Sequence, residues 1–237
     1  MLAAVLAMRR GAGVETYATM VLEDSPLVFL PLDEQAGATV AIDLSGNGRN
    51  GSFAGVTRGQ PSMFPSGNGS VRTNYGTVTI PHDAGLSLTG DFTLELTSRL
   101  TGPYSSYGSF PKLCAKFTAY STGYVNYMLQ GDKSTGKVLG RVSTVDNNYN
   151  DAANTTSSQD EVARTYTLRR SGNVVALFID GVLKAQINVT GANQTSSSPI
   201  QIGGSGSTDG VDQYVQWFSL YNYALSDERI AARIAAR

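Results

Sequence analysis

The stretch Leu27–Gly51, LVFLPLDEQAGATVAIDLSGNGRNG, restricts the fold more than any other part of the chain. A short apolar run ends in Pro31-Leu32-Asp33-Glu34. An Ala/Val/Ile run follows, and Asp43-Leu44-Ser45-Gly46-Asn47-Gly48 leads to Asn50-Gly51. Asp, Ser and Asn side chains can close such a turn on its own backbone, with Gly46 and Gly48 taking positive φ. Turn chemistry this dense between two apolar runs marks strands joined by a tight, specific loop. The same pattern recurs down the chain. Asp91–Leu100 alternates, with Phe92, Leu94, Leu96 and Ser98 on one face and Thr93, Glu95 and Thr97 on the other. Arg164–Arg169, Val174–Ile179 and Val182–Val189 form a meander, and Asp180-Gly181 is a two-residue hairpin signal. Further strands are expected at Leu27–Leu32, Ser52–Val56, Ser70–Arg72, Thr77–Ile80, Lys112–Phe117, Tyr124–Gln130, Lys137–Ser143, Ile200–Gly204 and Gln213–Tyr221. Thr144–Gln159 has no apolar period and reads as a long loop. Thr16 is an N-cap for a short helix that Pro26 ends, and Ser226 caps a second whose Asp227 and Glu228 suit a helix N-terminus. The pattern predicts an all-β, two-sheet antiparallel sandwich with short N- and C-terminal helices.

At 237 residues, 41% of them hydrophobic, the chain has enough apolar material for one large core. We divide it into an N-terminal arm and short helix, residues 1–26, and a sandwich domain, residues 27–237, that includes the C-terminal helix. Eighteen basic against 19 acidic residues leave a net charge of −1, which gives no pull towards nucleic acid or an anionic membrane. The single Cys114 excludes a disulfide-stapled domain and sits in a strand-like run, as a buried thiol would. MLAAVLAMRR carries its charges after the apolar run, so it is not a signal peptide, and the run is too short to span a membrane. It reads as an arm that packs on another protein.

Three separated blocks resemble the concanavalin A-like lectin/glucanase superfamily, in its laminin G-like bacterial and phage branch. The first is Leu32-Asp33-Glu34 with Asp43-Leu-Ser-Gly-Asn-Gly48 and Gly51. The second is the hairpin Val174-Val-Ala-Leu-Phe-Ile-Asp-Gly-Val-Leu183. The third is Ile202-Gly-Gly204 followed by Tyr221-Asn-Tyr-Ala-Leu-Ser226. The resemblance implies a jelly-roll sandwich. It departs from the family at Phe29-Leu30, where relatives often carry an aromatic pair, and at Gln216-Trp217, where an Asp-Glu pair is usual. Many relatives hold a structural calcium between the first loop and that late Asp. By this resemblance Asp43, Asn47 and Gln216 form a candidate Ca²⁺ site, weakened because Gln216 offers a neutral oxygen. The alternative is that Asp43, Ser45 and Asn47 simply build a turn.

Glucanases of this superfamily carry carboxylates in an E-x-D-x-x-E pattern, which is missing here. Asp91 and Glu95 fall on one strand face about 13 Å apart at the usual strand rise, too far for a retaining pair. They, like Asp160-Glu161, read as solvated surface. The lone His82 reads as a polar turn residue. No nucleophile elbow, P-loop or dinucleotide fingerprint occurs, so the chain is expected not to be an enzyme. A surface suited to binding remains. Tyr104, Tyr107, Tyr120, Tyr124, Tyr127 and Tyr149 cluster in one region, Tyr124 and Tyr127 reading as structural. The loop at Asp146, Asn147, Asn148 and Tyr149 combines an aromatic face with amides and a carboxylate, the mixture sugar recognition needs. These four are the candidate ligand contacts.

Tyr17-Ala-Thr-Met-Val-Leu-Glu-Asp-Ser-Pro26 resembles the start of such modules in phages of actinobacteria, in minor tail and capsid-surface proteins. The resemblance implies a non-enzymatic virion component on the phage particle surface, a tail or decoration protein. It would be held by other virion proteins and by copies of itself, and would adhere to host-surface glycans without membrane insertion. The alternative is a bacterial glycan-active enzyme or its carbohydrate-binding module.

Overall fold

In the computed structural model of the protein, residues 15–103, 106–107, 111–118, 125–146, 150–153, 161–204 and 210–237 are described. They form two antiparallel sheets packed as a sandwich. The first sheet runs β14 (Val182–Asn188), β13 (Val174–Ile179), β12 (Arg164–Ser171), β7 (Phe92–Leu100), β16 (Gln213–Tyr221), β5 (Ser70–Arg72) and β4 (Thr57–Gln60). Strand β1 (Val28–Leu30) shares with β5 the edge of β16 that β7 leaves free. The second sheet runs β11 (Asn150–Ala153), β10 (Val138–Val142), β9 (Val125–Gly131), β8 (Lys112–Phe117), β15 (Ile200–Ile202), β6 (Thr77–Ile80), β3 (Gly51–Ala54) and β2 (Val40–Ala41). The alternation in β7 is the reason it lies centrally. Leu94 and Leu96 face Leu168 and Tyr166 of β12 and Leu220 and Phe218 of β16, and all of them join the main core between the sheets. At Gly140 the sheets approach so closely that a Cβ would lie 2.5 Å from Leu168 Cδ1.

Most strands fall where the apolar pattern puts them. β2, β4 and β11 do not: they are short, polar or glycine-bearing, and they exist because a neighbour pairs with them. β11 lies inside the stretch expected as a loop. It pairs with β10 in the register Leu139↔Ala153 to Val142↔Asn150, and Arg141 on β10 grips Asp151 with Nε and Nη2 at 2.5 and 2.7 Å. Cys114 is buried in β8, and burial pushes its thiol pKa up.

The outer face of the first sheet is covered by helices α1 (Tyr17–Glu23) and α2 (Asp227–Ala235). Thr16 caps α1 through a capping box, and Ser226 accepts from the Arg229 N–H at the start of α2. The two helices meet, with Tyr17 N–H donating to Ala236 O at 3.0 Å. Beneath them Tyr17, Val21, Phe29, Phe178, Trp217, Tyr221, Leu225 and Ile230 make a second apolar cluster. Tyr17 stacks on Trp217 at 4.2 Å between ring centroids.

Glu95, expected on solvated surface, is fully buried in this layer, because the helices close the face that alternation alone leaves open. Arg233 of α2, equally buried, reaches it at 2.5 Å. Thr167 and Ser219 hydroxyls and the Tyr17 phenol lie 3.3–3.5 Å from the same carboxylate. Arg233 also binds Asp24 at the end of α1 and lies 4.6 Å over the Tyr221 ring. Removing one partner of a fully buried pair strands the other charge, at a cost of about 3–5 kcal/mol. Arg233→Met is therefore expected to destabilise the fold by that amount in urea unfolding. The double variant Glu95→Leu/Arg233→Met is expected to recover most of the loss.

Candidate functional site

The first loop is organised around the Asp43 carboxylate. Oδ1 accepts the N–H groups of Phe29 and Ser45, both at 2.9 Å. Oδ2 accepts the Ser45 hydroxyl at 2.8 Å and the Arg49 N–H at 2.9 Å. Asn47 donates through Nδ2 to the carbonyls of Pro26 and Leu27 at 3.1 and 3.0 Å, and Arg49 Nη1 donates to Leu27 O at 3.1 Å. Gly46 and Gly48 take φ of 88° and 71°. Gln216 stands on β16 and holds a different loop: its Oε1 accepts from Met63 N–H at 2.6 Å and Phe64 N–H at 3.3 Å. No hydrogen bond joins it to Asp43 or Asn47. Its Nε2 is buried without a partner, and an orphaned donor repels a cation rather than attracting one. The Asp43 and Gln216 oxygens proposed for calcium are thus occupied by N–H and O–H donors, and Asn47 turns its Nδ2 donor to the chain's own carbonyls, so the residues as placed fit a hydrogen-bonded turn rather than an oxygen cage.

Asp146 is exposed at the end of a turn, its Oδ2 only 2.5 Å from where a Cβ on Gly191 would stand. Asn147, Asn148 and Tyr149 lie outside the described residues, as do Tyr104, Tyr120 and Tyr124. Tyr127 is buried in the core and donates to Leu86 O, and Tyr107 is buried with its hydroxyl on Asp212 O.

Gln216 shapes another feature. It is the extra residue of a bulge in β16, between Val215↔Ser98 and Trp217↔Thr97. Its side chain passes so close to Gly67 that a Cβ there would lie 1.6 Å from Nε2. By holding the Met63 and Phe64 amides it fixes loop 61–67 over the outer face of the first sheet. Phe64 then lies parallel to Trp217 at 5.9 Å, and Arg237 lies 4.3 Å over Phe64. One step beyond, on the far side of the bulge, the covering ends. A cleft of about 300 Å³ opens there, lined by Pro61, Ser62, Met63, Arg99, Ala163 and Tyr214. Tyr214 and Arg99 are cross-strand partners on β16 and β7, with the guanidinium 4.3 Å over the phenol ring. Arg72 supports Tyr214 from the other side at 5.7 Å and is gripped by Asp212 through Nε at 2.9 Å and Nη2 at 2.5 Å. Burial alone would raise the Asp212 pKa. Arg72, together with Thr101 and the Asn74 N–H, holds it below the usual carboxylate range.

The cleft therefore combines an aromatic ring, a guanidinium, a hydroxyl and apolar walls. Sequence reasoning missed it. Alternation along β7 already puts Arg99 on the face of Thr97 and Glu95. Only the register of β16 against β7, and the bulge within it, brings Tyr214 beside Arg99.

A family model described as the concanavalin A-like lectin/glucanases superfamily matches residues 72–231, more than half of the chain. The binding domain of paraclostridial mosquitocidal protein 1 superposes with a TM-score of 0.70 at 16% identity, covering 90% of this chain and 52% of that one. The binding domain of botulinum neurotoxin serotype D gives 0.67 at 13% identity, covering 93% and 52%. A Trypanosoma rangeli sialidase gives 0.63 at 17% identity, covering 87% and 32%. The chain spans about half the length of the toxin binding domains it matches, and at these identities the likeness is one of fold. Among curated proteins none matches it in sequence.

Two expectations follow from these geometries. With its acceptors filled, the Asp43 loop gains nothing from a cation: thermal unfolding is expected to be the same in millimolar calcium and in chelator. Asp43→Ala is expected to cost roughly 2–4 kcal/mol, because a charged acceptor and several part-buried donors lose their partners. The second concerns Lys116, buried on β8 with Nζ 3.1 Å from Nδ1 of His82, itself exposed. Burial lowers its pKa to about 8, against a partly offsetting Asp83. The unfolded chain then holds more protons than the folded one between about pH 8 and the ordinary lysine pKa. Lys116 accordingly weakens the fold below pH 8, and this penalty fades as pH rises through that window. The stability of wild type relative to Lys116→Met is expected to increase from pH 8 to pH 10 in parallel denaturant titrations.

Proposed function

As the chain belongs to the concanavalin A-like lectin/glucanase superfamily, we propose that it is a non-enzymatic glycan-binding module of a phage particle, with the Arg99–Tyr214 cleft as its binding site. The observation that carries the binding reading is the cleft itself. The first sheet's outer face is covered by the two helices and Phe64 and lies open beside Tyr214, where the apolar walls of Pro61, Met63 and Ala163 adjoin the Arg99 guanidinium, which Tyr214 holds in place. A sugar ring needs both, a face for its C–H groups and partners for its hydroxyls.

The non-catalytic part of the reading is supported by the chemistry around the cleft. Glycoside cleavage commonly uses two carboxyl groups, one of them able to give up a proton near neutral pH. The described lining of the cleft contains none. The neighbouring Asp212 is committed to Arg72 and the Asn74 N–H, a setting that favours its charged form. Structural neighbours of the same fold bind sugars and proteins: one botulinum neurotoxin D domain is described in complex with N-acetylneuraminic acid, which supports the glycan reading, and a DC domain with rat synaptotagmin II. Placement on a virion rests on the resemblance of Tyr17–Pro26 to the start of modules in phage tail and capsid-surface proteins, which would also supply partners, itself among them.

The test is a sedimentation assay of the purified chain with host cell-wall polysaccharide, beside Tyr214→Ala. Saturable binding that Tyr214→Ala weakens about tenfold is expected, because the substitution removes one wall of the cleft and the ring that holds Arg99. Absence of binding to any host wall would leave a purely structural particle protein. Turnover of the polysaccharide would favour the enzyme alternative.

A further inference from the structure

One charged group in the cleft is unused by the protein. Arg99 is half-buried on the outer face of β7, with its guanidinium over the Tyr214 ring. Among the described residues the guanidinium has no hydrogen-bond or ion-pair partner. Most other described arginines are tied down: Arg72, Arg141, Arg169, Arg229, Arg233 and Arg237 each hold a carboxylate at 3.2 Å or less, as does Arg49, while Arg170 and Arg58 donate to carbonyl or amide oxygens. A guanidinium partly withdrawn from water, stacked on a ring and left without a counter-charge, is prepared for an anion from outside. Stacking on Tyr214 occupies one face and steadies the plane, so the N–H edge remains for a ligand.

We propose that the cleft takes a saccharide bearing a carboxylate, with that carboxylate on the Arg99 fork; this rests on the glycan-binding reading of the same cleft. Three features choose a carboxylate over other anions. A planar fork with one free edge matches a planar two-oxygen acceptor bidentately. A single unpaired cation balances a single negative charge, whereas a phosphate monoester carries about −1.5 to −2. The remaining lining is what the rest of a sugar would need: Pro61, Met63 and Ala163 for its C–H faces and the exposed Ser62 for a hydroxyl. At about 300 Å³ the cleft stands at the lower end of ligand sites, the size of a terminal residue rather than a long chain segment.

The experiment follows the Arg99 Nε–H resonance of the full chain by NMR during titration with glucuronic acid, N-acetylneuraminic acid, the methyl ester of glucuronic acid, glucose and glycerol phosphate. Wild type is compared with Arg99→Gln, Arg99→Lys and Tyr214→Ala. The Arg99 guanidinium has no hydrogen-bond partner among the described residues, so Arg99→Gln is expected to keep the fold, which its amide spectrum reports directly. The expected result is that at least one of the two acids shifts the Arg99 resonance saturably, and the ester and glucose bind at least tenfold more weakly. Arg99→Gln loses that tenfold preference, Arg99→Lys restores only part of it, and added salt erodes it. Equal binding of acid, ester and glucose that still depends on Tyr214 would overturn the carboxylate assignment while keeping the glycan site. Equal binding of glycerol phosphate would replace it with a general anion site. No response of cleft resonances to any sugar, alone or on wall polysaccharide, would overturn the glycan reading as well.

Discussion

The ion pair between Glu95 and Arg233 ties together parts of the molecule that are far apart in sequence. Glu95 stands in the middle of the central strand β7, on the face turned away from the main core. A carboxylate there could not be buried alone, since desolvating an unpaired charge costs far more than a fold of this size can spare. Arg233 meets it from α2 and binds Asp24 at the end of α1 with the same guanidinium. One charged group thus fixes both terminal helices on one sheet. The aromatic layer of Tyr17, Trp217, Tyr221 and Phe178 can then pack dry around it. Such pairs add less stability than their Coulomb attraction suggests. Their value here is positional, because the pairs to Asp24 and Glu95 tie both helices to one place on the sheet.

Closing that face has a consequence for function. A sandwich of this kind has two outer faces, and the described helices occupy much of one. Among the parts of it that remain open is the end of β16 beyond the bulge. There the insertion of Gln216 changes which residues point outward, so Trp217 goes beneath the cover and Tyr214 stays outside it. The same side chain anchors loop 61–67 by two backbone N–H groups, and the loop forms the cleft's other wall. The neutral amide of Gln216 receives backbone donors that bring a loop to the cleft.

The arginines divide along the same line. Around the helices and at the sheet edges most of the described ones pair with carboxylates and act as ties, and Arg170 is held by three carbonyl and amide oxygens. In the cleft Arg99 is held by a ring alone. The aromatic contact keeps the side chain in place without consuming its hydrogen bonds, which is the condition for specific recognition at small entropic cost.

The all-β class, the positions of most strands, both helices with their Thr16 and Ser226 caps, and the turn at Asp43 were legible in the sequence. Each depends on side chains close together along the chain: alternation, a two-residue hairpin, a hydroxyl three residues from an N–H. The superfamily was legible for the same reason, through local turn and hairpin blocks. The burial of Glu95 was not, because alternation says only which face a residue takes and nothing about what covers that face. Nor was the pairing of the polar strand β11, which depends on a neighbour's register rather than on its own pattern. The cleft belongs to the tertiary structure entirely. Arg99 and Tyr214 are more than a hundred residues apart, and a single bulge sets them side by side. Register and bulges are fixed by the sum of packing across both sheets, and no short stretch of sequence carries that sum.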